Sequence, residues 1–124
     1  MAGMRVGIDL IEIDRVARAL VRHPRFVERV FTPAEREYCM SRANPPQHFA
    51  ARFAGKEAVG KALGFGVPFT WREIEIVGRP KPGVSLTGRT AAWATRVSAG
   101  GIDLSMTHSK GVAGAVALVH GTRE

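Results

Sequence analysis

Cysteine is nearly absent: the single Cys39 excludes an internal disulfide and a cysteine-built zinc cage, and it fits a reducing compartment. Acidic residues are scarce too, with eleven Asp and Glu against eighteen Lys and Arg for a formal charge of +7. The partner or substrate of such a chain is expected to be acidic, the more so because fourteen of the eighteen bases are Arg, whose planar fork suits phosphates and carboxylates. No run of eighteen uncharged apolar residues occurs, and the first residues carry no basic leader followed by an apolar stretch. Neither membrane spanning nor secretion is therefore expected, and the location read from the sequence is cytoplasmic. A phosphate-binding P-loop, a dinucleotide glycine fingerprint, zinc-type spacing, a nucleophile elbow, internal repeats and low-complexity tracts are all missing. With 124 residues of ordinary globular composition, one domain over residues 1–124 is expected.

What is present reads as alternating elements. Residues 4–13 place Val6, Ile8 and Leu10 on one face and Gly7, Asp9, Ile11 and Ile13 on the other, the pattern of a strand buried on both sides. Gly7 leaves space beside Asp9 for a ligand or metal, or marks a bulge. Asp14 can cap a helix over 15–22, which Pro24 ends while opening a short second one. Thr32, Pro33 and Glu35 form a capping-box start for a helix to about residue 42, closed by Asn44-Pro45-Pro46. The principal helix is predicted over 47–63. Its small residues Ala51, Ala54, Gly55, Ala58 and Ala62 gather on one side, and Arg52, Phe53, Lys56, Glu57, Gly60 and Lys61 on the other. After a loop over 64–68, strands are predicted at 71–77 and 84–87 as an antiparallel pair, then a helix over 90–98 stopped by Gly100-Gly101, then strands at 102–108 and 112–120. The last hairpin is apolar enough to be central. The fold class is α+β, helices packed on a mainly antiparallel sheet, in the order β-α-α-α-β-β-α-β-β.

Two carboxylates stand in apolar settings that disfavour charge, Asp9 in the first strand and Glu57 in the principal helix. Each needs a cation or hydrogen-bond donors to offset its desolvation, and one shared divalent metal would serve both. Taken singly, Asp9 reads equally as a structural acid at a turn, and Glu57 as the partner of Lys61 one turn on. Three cations, Arg52, Lys56 and Lys61, are expected on the same half of the helix as Glu57. One acid among three bases suits a metal-bound polyphosphate, and oxygen ligands favour Mg²⁺. His108, at a strand end beside a tight turn, can contact phosphate or shuttle a proton, or be merely structural. Arg15, Arg18 and Arg22 line one face of the first predicted helix, and Arg25 and Arg29 extend it. Only Phe26 interrupts these bases as an aromatic, so an acidic protein partner fits better than nucleic acid.

Read in order, GIDLIEIDR, RFAGKEAVGKALG, WREIEIVG and SMTHS resemble the holo-acyl-carrier-protein synthases, the short class of the 4′-phosphopantetheinyl transferase superfamily, over essentially the whole chain. The resemblance implies transfer of 4′-phosphopantetheine from coenzyme A to a serine of apo acyl carrier protein, with release of adenosine 3′,5′-bisphosphate and dependence on Mg²⁺. It places the two metal carboxylates on Asp9 and Glu57, and makes Glu57 or a metal-bound water the general base. It puts Lys56 and Lys61 on the pyrophosphate, Arg52 and His108 near the coenzyme A phosphates, and carrier docking on Arg15, Arg22 and Arg25. Some relatives carry an aspartate where Ser109 stands, so any role of that aspartate is in doubt here. Short members form homotrimers with sites at subunit interfaces, and the same is expected of this chain, with neither nucleic acid nor a membrane as partner.

Overall fold

The computed structural model describes residues 3–64, 70–78 and 81–122. Strand β1 (Met4–Glu12) is followed by helices α1 (Ile13–Arg22), α2 (Pro24–Val30), α3 (Pro33–Met40) and α4 (Pro45–Leu63). A short 3₁₀ turn (Trp71–Glu73) then leads into β2 (Ile74–Val77) and β3 (Gly83–Leu86), and the chain ends in α5 (Gly88–Arg96), β4 (Ala99–Ser109) and β5 (Val112–Gly121). The α+β class holds. Pro24 opens a short helix as expected, so four α-helices separate β1 from β2 among the described residues, one more than the element order β-α-α-α-β counted.

The strands form an antiparallel sheet in the order β1-β5-β4 and a separate antiparallel pair, β2-β3. The final hairpin is tight because Lys110 and Gly111 both adopt positive φ. Of the hairpin expected to be central only β5 is so, and β4 is an edge of the sheet, as is β1. Helix α4 lies across the inner face. Ala54, Ala58 and Ala62 meet Ala115 and Ala117 there, small against small, together with Val59, Leu63, Ile74, Ile76 and Leu104. A second cluster, with Phe31, Phe49, Val16 and the buried Cys39, packs α1 to α3 over the other end of α4. Burial raises the Cys39 thiol to about 11.

Several local expectations need correction. β1 is buried on one side only: Met4, Val6, Ile8 and Leu10 are 59–70% exposed on its outer face, because the described helices all pack on the inner one. The space beside Gly7 is occupied by the backbone of α4. α1 starts at Ile13, so Asp14 sits in its first turn and is not its cap. The Thr32–Glu35 capping box forms as expected, but α3 ends at Met40, and Pro45 and Pro46 open α4 instead of closing α3. α5 stops at Arg96. Gly100 and Gly101 fall within β4, at the register irregularity between Ala99 and Ile102. Of the predicted loop at 64–68, only Gly64 is described, as the left-handed C-cap of α4.

Candidate active site

Period-two alternation puts Gly7, Asp9 and Ile11 on the inner face of β1, and α4 runs over that face. Asp9 is therefore held against the turn that carries Glu57 and Lys61. The Lys61 ammonium lies 3.3 Å from Asp9 Oδ1 and donates to the Ile8 carbonyl at 3.0 Å. Asp9 is largely enclosed, with 18% of its side chain exposed. The carboxyl of Glu57 is raised above its ordinary range, first by burial and then by the neighbouring Asp9 charge, with Lys61 opposing. Such mutual repulsion is what a divalent cation relieves, and both donors are hard oxygens. Among the described residues no cluster of three or more His, Cys, Asp or Glu side chains could hold a metal. Asp9 and Glu57 would contribute two oxygen ligands and leave the rest to water or substrate, a set that fits Mg²⁺.

The cations of α4 do not share one surface. Lys56 is fully buried: its ammonium pairs with Glu35 Oε1 at 2.8 Å and donates to the carbonyls of Trp71 and Ile74. Three partners saturate three donors, so the expected contact of Lys56 with pyrophosphate is replaced by an internal tie between α4, α3 and β2. Glu35 completes that tie by accepting from the backbone N–H of Thr32 and Ile76. Lys61 is exposed and lies beside Asp9, the one α4 cation brought to the carboxylates.

Arg52 turns the other way. Its guanidinium stacks 4.1 Å from the centre of the Tyr38 ring, and its Nε is buried without a hydrogen-bond partner among the described residues. It lines a cavity of about 210 Å³ with Tyr38, His48, Thr107 and His108. His108 Nε2 lies 2.9 Å from Gln47 Nε2. The His48 imidazole is pushed below its ordinary pKa by burial, then by Arg52, Arg42 and His108. This concentration of cationic groups suits an anion. Tyr38, Gln47 and His48 were missed from sequence, although His48 precedes Arg52 by one helical turn and so shares its face. Asp9 and His108 stand on the opposite edge strands β1 and β4, with β5 between them, while Glu57 and Arg52 share α4.

Arg15, Arg22 and Arg25 are all exposed along α1 and the start of α2. Beside them opens a recess of about 710 Å³ lined by Arg22, Arg25, Arg29, Phe26, Phe53 and Trp71. Its floor is aromatic, with Phe53 stacked on Trp71 at 4.8 Å. The Arg spacing was legible in sequence, but the apolar floor was not, since it assembles from α2, α4 and the 3₁₀ turn.

Residues 5–117 match the family described as the 4′-phosphopantetheinyl transferase superfamily. The chain belongs to this family. It is 48% identical over 121 residues to the holo-[acyl-carrier-protein] synthase of Moorella thermoacetica, covering 94% of this chain and 93% of that protein. The structure of a coenzyme A complex of the acyl carrier protein synthase of Chronobacterium ammoniagenes superposes with a TM-score of 0.82 at 32% identity, covering 97% of this chain and 98% of that one. The Helicobacter pylori holo-[acyl-carrier-protein] synthase in complex with coenzyme A gives 0.80 at 28% identity, covering 92% and 98%. This 4′-phosphopantetheinyl transferase is an enzyme, with the α+β fold of those synthases. No helix among its described residues is long and apolar enough to cross a membrane.

Proposed function

We propose that the protein transfers 4′-phosphopantetheine from coenzyme A to a serine of an acidic apo acyl carrier protein, with residues 1–124 acting as one cytoplasmic domain. The observation that carries this reading is the pairing of Asp9 with Glu57, two carboxylates distant in sequence and electrostatically coupled in the fold. In the reaction the serine oxygen forms a bond to the β-phosphorus while the bond from that phosphorus to the bridging oxygen breaks, and adenosine 3′,5′-bisphosphate leaves with that oxygen. The serine proton passes to Glu57 or to water. Asp9 and Glu57 would hold Mg²⁺, which when bound supplies positive charge against the pyrophosphate. Lys61 adds a second positive charge on the same side. Arg52 and His108 would bind phosphate of coenzyme A in the basic cavity, and His108 would also relay a proton. Arg15, Arg22 and Arg25 dock the acidic carrier, whose attraction to this positive stripe speeds encounter.

Asp9 and His108 stand on opposite edge strands of the sheet, so one bound coenzyme A would reach both most directly across a junction between two copies of the chain. The exposed face of Met4, Val6, Ile8 and Leu10, continued by Val112 and Val116 of β5, is an apolar surface of the kind that oligomers cover. Both features favour an oligomer with sites at subunit interfaces, and the resemblance to the short synthases makes that oligomer a homotrimer.

Mass spectrometry of an apo carrier protein after incubation with enzyme, coenzyme A and Mg²⁺ tests the reading. The carrier should gain one phosphopantetheine arm, and Asp9→Ala or Glu57→Ala should abolish that gain while retaining the wild-type circular dichroism. Release of the bisphosphate without carrier would indicate a diphosphate hydrolase instead.

A further inference from the structure

We infer that Gly7 is the positioning residue of the carboxylate pair: by having no side chain it lets β1 seat directly on the backbone of α4, and this seating sets the separation of Asp9 from Glu57. The inference rests on the reading of that pair as a cation site. A Cβ built on Gly7 would lie 1.9 Å from the Ala58 carbonyl oxygen, 2.8 Å from the Ala62 nitrogen and 2.9 Å from the Ala58 carbonyl carbon. All three are backbone atoms in the last two turns of a nineteen-residue helix, so no change of rotamer makes room. Other close glycines differ. A Cβ on Gly55 would first meet Ile76 Cδ1 at 2.7 Å and one on Gly114 would meet Leu10 Cδ2 at 2.8 Å, both ends of flexible side chains.

The atoms that Gly7 touches belong to the residues immediately after Glu57 and Lys61. Asp9 follows Gly7 by one strand repeat on the same face, and Lys61 fastens the intervening Ile8 carbonyl to the helix. Any side chain at position 7 must therefore lift β1 from α4 at the level of the carboxylates. The whole strand is committed to β5 through nine register pairs from Met4↔His120 to Glu12↔Val112, which prevents Asp9 from swinging back alone.

Titration with Mn²⁺, followed by the loss of its free electron paramagnetic resonance signal, measures the separation functionally. The wild type should bind the ion and Asp9→Ala should not; if either fails, the cation reading itself falls and this inference falls with it. Given that binding, Gly7→Ala should weaken Mn²⁺ affinity by about 10-fold or more. Gly55→Ala, whose Cβ would first meet the side-chain end of Ile76 and not β1, should change it by less than about 2-fold, equivalent to ~0.4 kcal/mol. Adding Asp9→Glu to Gly7→Ala should restore part of the lost affinity, because the longer arm spans the widened gap, a rescue that general destabilisation would not give. Wild-type affinity in folded Gly7→Ala, or an equal loss in Gly55→Ala, overturns the inference. If Gly7→Ala does not fold, Asp9→Glu alone decides: with Gly7 fixing a matched gap, the longer acid should lose about 10-fold, and undiminished binding overturns the inference.

Discussion

At the residue scale, sequence context exposed Asp9 and Glu57 because a carboxylate among apolar neighbours demands a partner, and the fold sets them together. Their repulsion has a measurable cost in the metal-free protein. The folded-state pKa of Glu57 is raised by burial and by Asp9, so the folded chain binds this proton more tightly than the unfolded chain. That contribution to stability is present at low pH and is lost as pH rises through the raised value. In chelator at neutral pH, Glu57→Gln should therefore melt roughly 2–4 °C above wild type, and the advantage should vanish below the ordinary carboxylate range. Coincident melting curves across that pH range would contradict the coupling. Lys56 was misread at this same scale. A helical wheel assigns it to a side of α4, but only the tertiary arrival of Glu35 from α3 determines that this side is interior.

At the element scale, the Glu35–Lys56 pair joins three pieces of chain that share no local sequence. Burial pulls the Lys56 ammonium below its ordinary pKa, while the nearby Glu35 charge opposes that shift. Glu35→Ala strands a buried ammonium and removes the acceptor for the Ile76 N–H, so urea unfolding should show a loss of about 3–5 kcal/mol. Glu35→Met combined with Lys56→Met should lose much less, since both charges go together. Most elements were legible beforehand: the α3 capping box, the length of α4, and the β2 alternation of Ile74 and Ile76 each follow from short-range rules. Boundaries failed where two rules compete. Pro45 and Pro46 satisfy both the end of one helix and the first turn of the next, and Gly100-Gly101 serves either as a helix stop or as an irregularity in a strand.

At the scale of the whole molecule, the sequence pattern of β1 implied burial on both faces, yet within one chain only the inner face is covered. In the proposed homotrimer a second copy would cover the apolar outer residues. If that proposal holds, Ile8→Lys should convert the proposed homotrimer to monomers in sedimentation velocity and remove transfer activity, while Mn²⁺ affinity at Asp9 and Glu57 changes little; a wild-type sedimentation coefficient would count against that interface. The division of the candidate site between β1 and β4 was illegible beforehand, because strand order is a property of long-range pairing. Cys39 carries a further practical consequence. Its thiol is enclosed and held at about 11, so it stays protonated and shielded from alkylating reagents under ordinary conditions. A cysteine engineered on the exposed surface of Arg15, Arg22 and Arg25 could then take a fluorophore at one place alone, with no need to replace the native sulfur first.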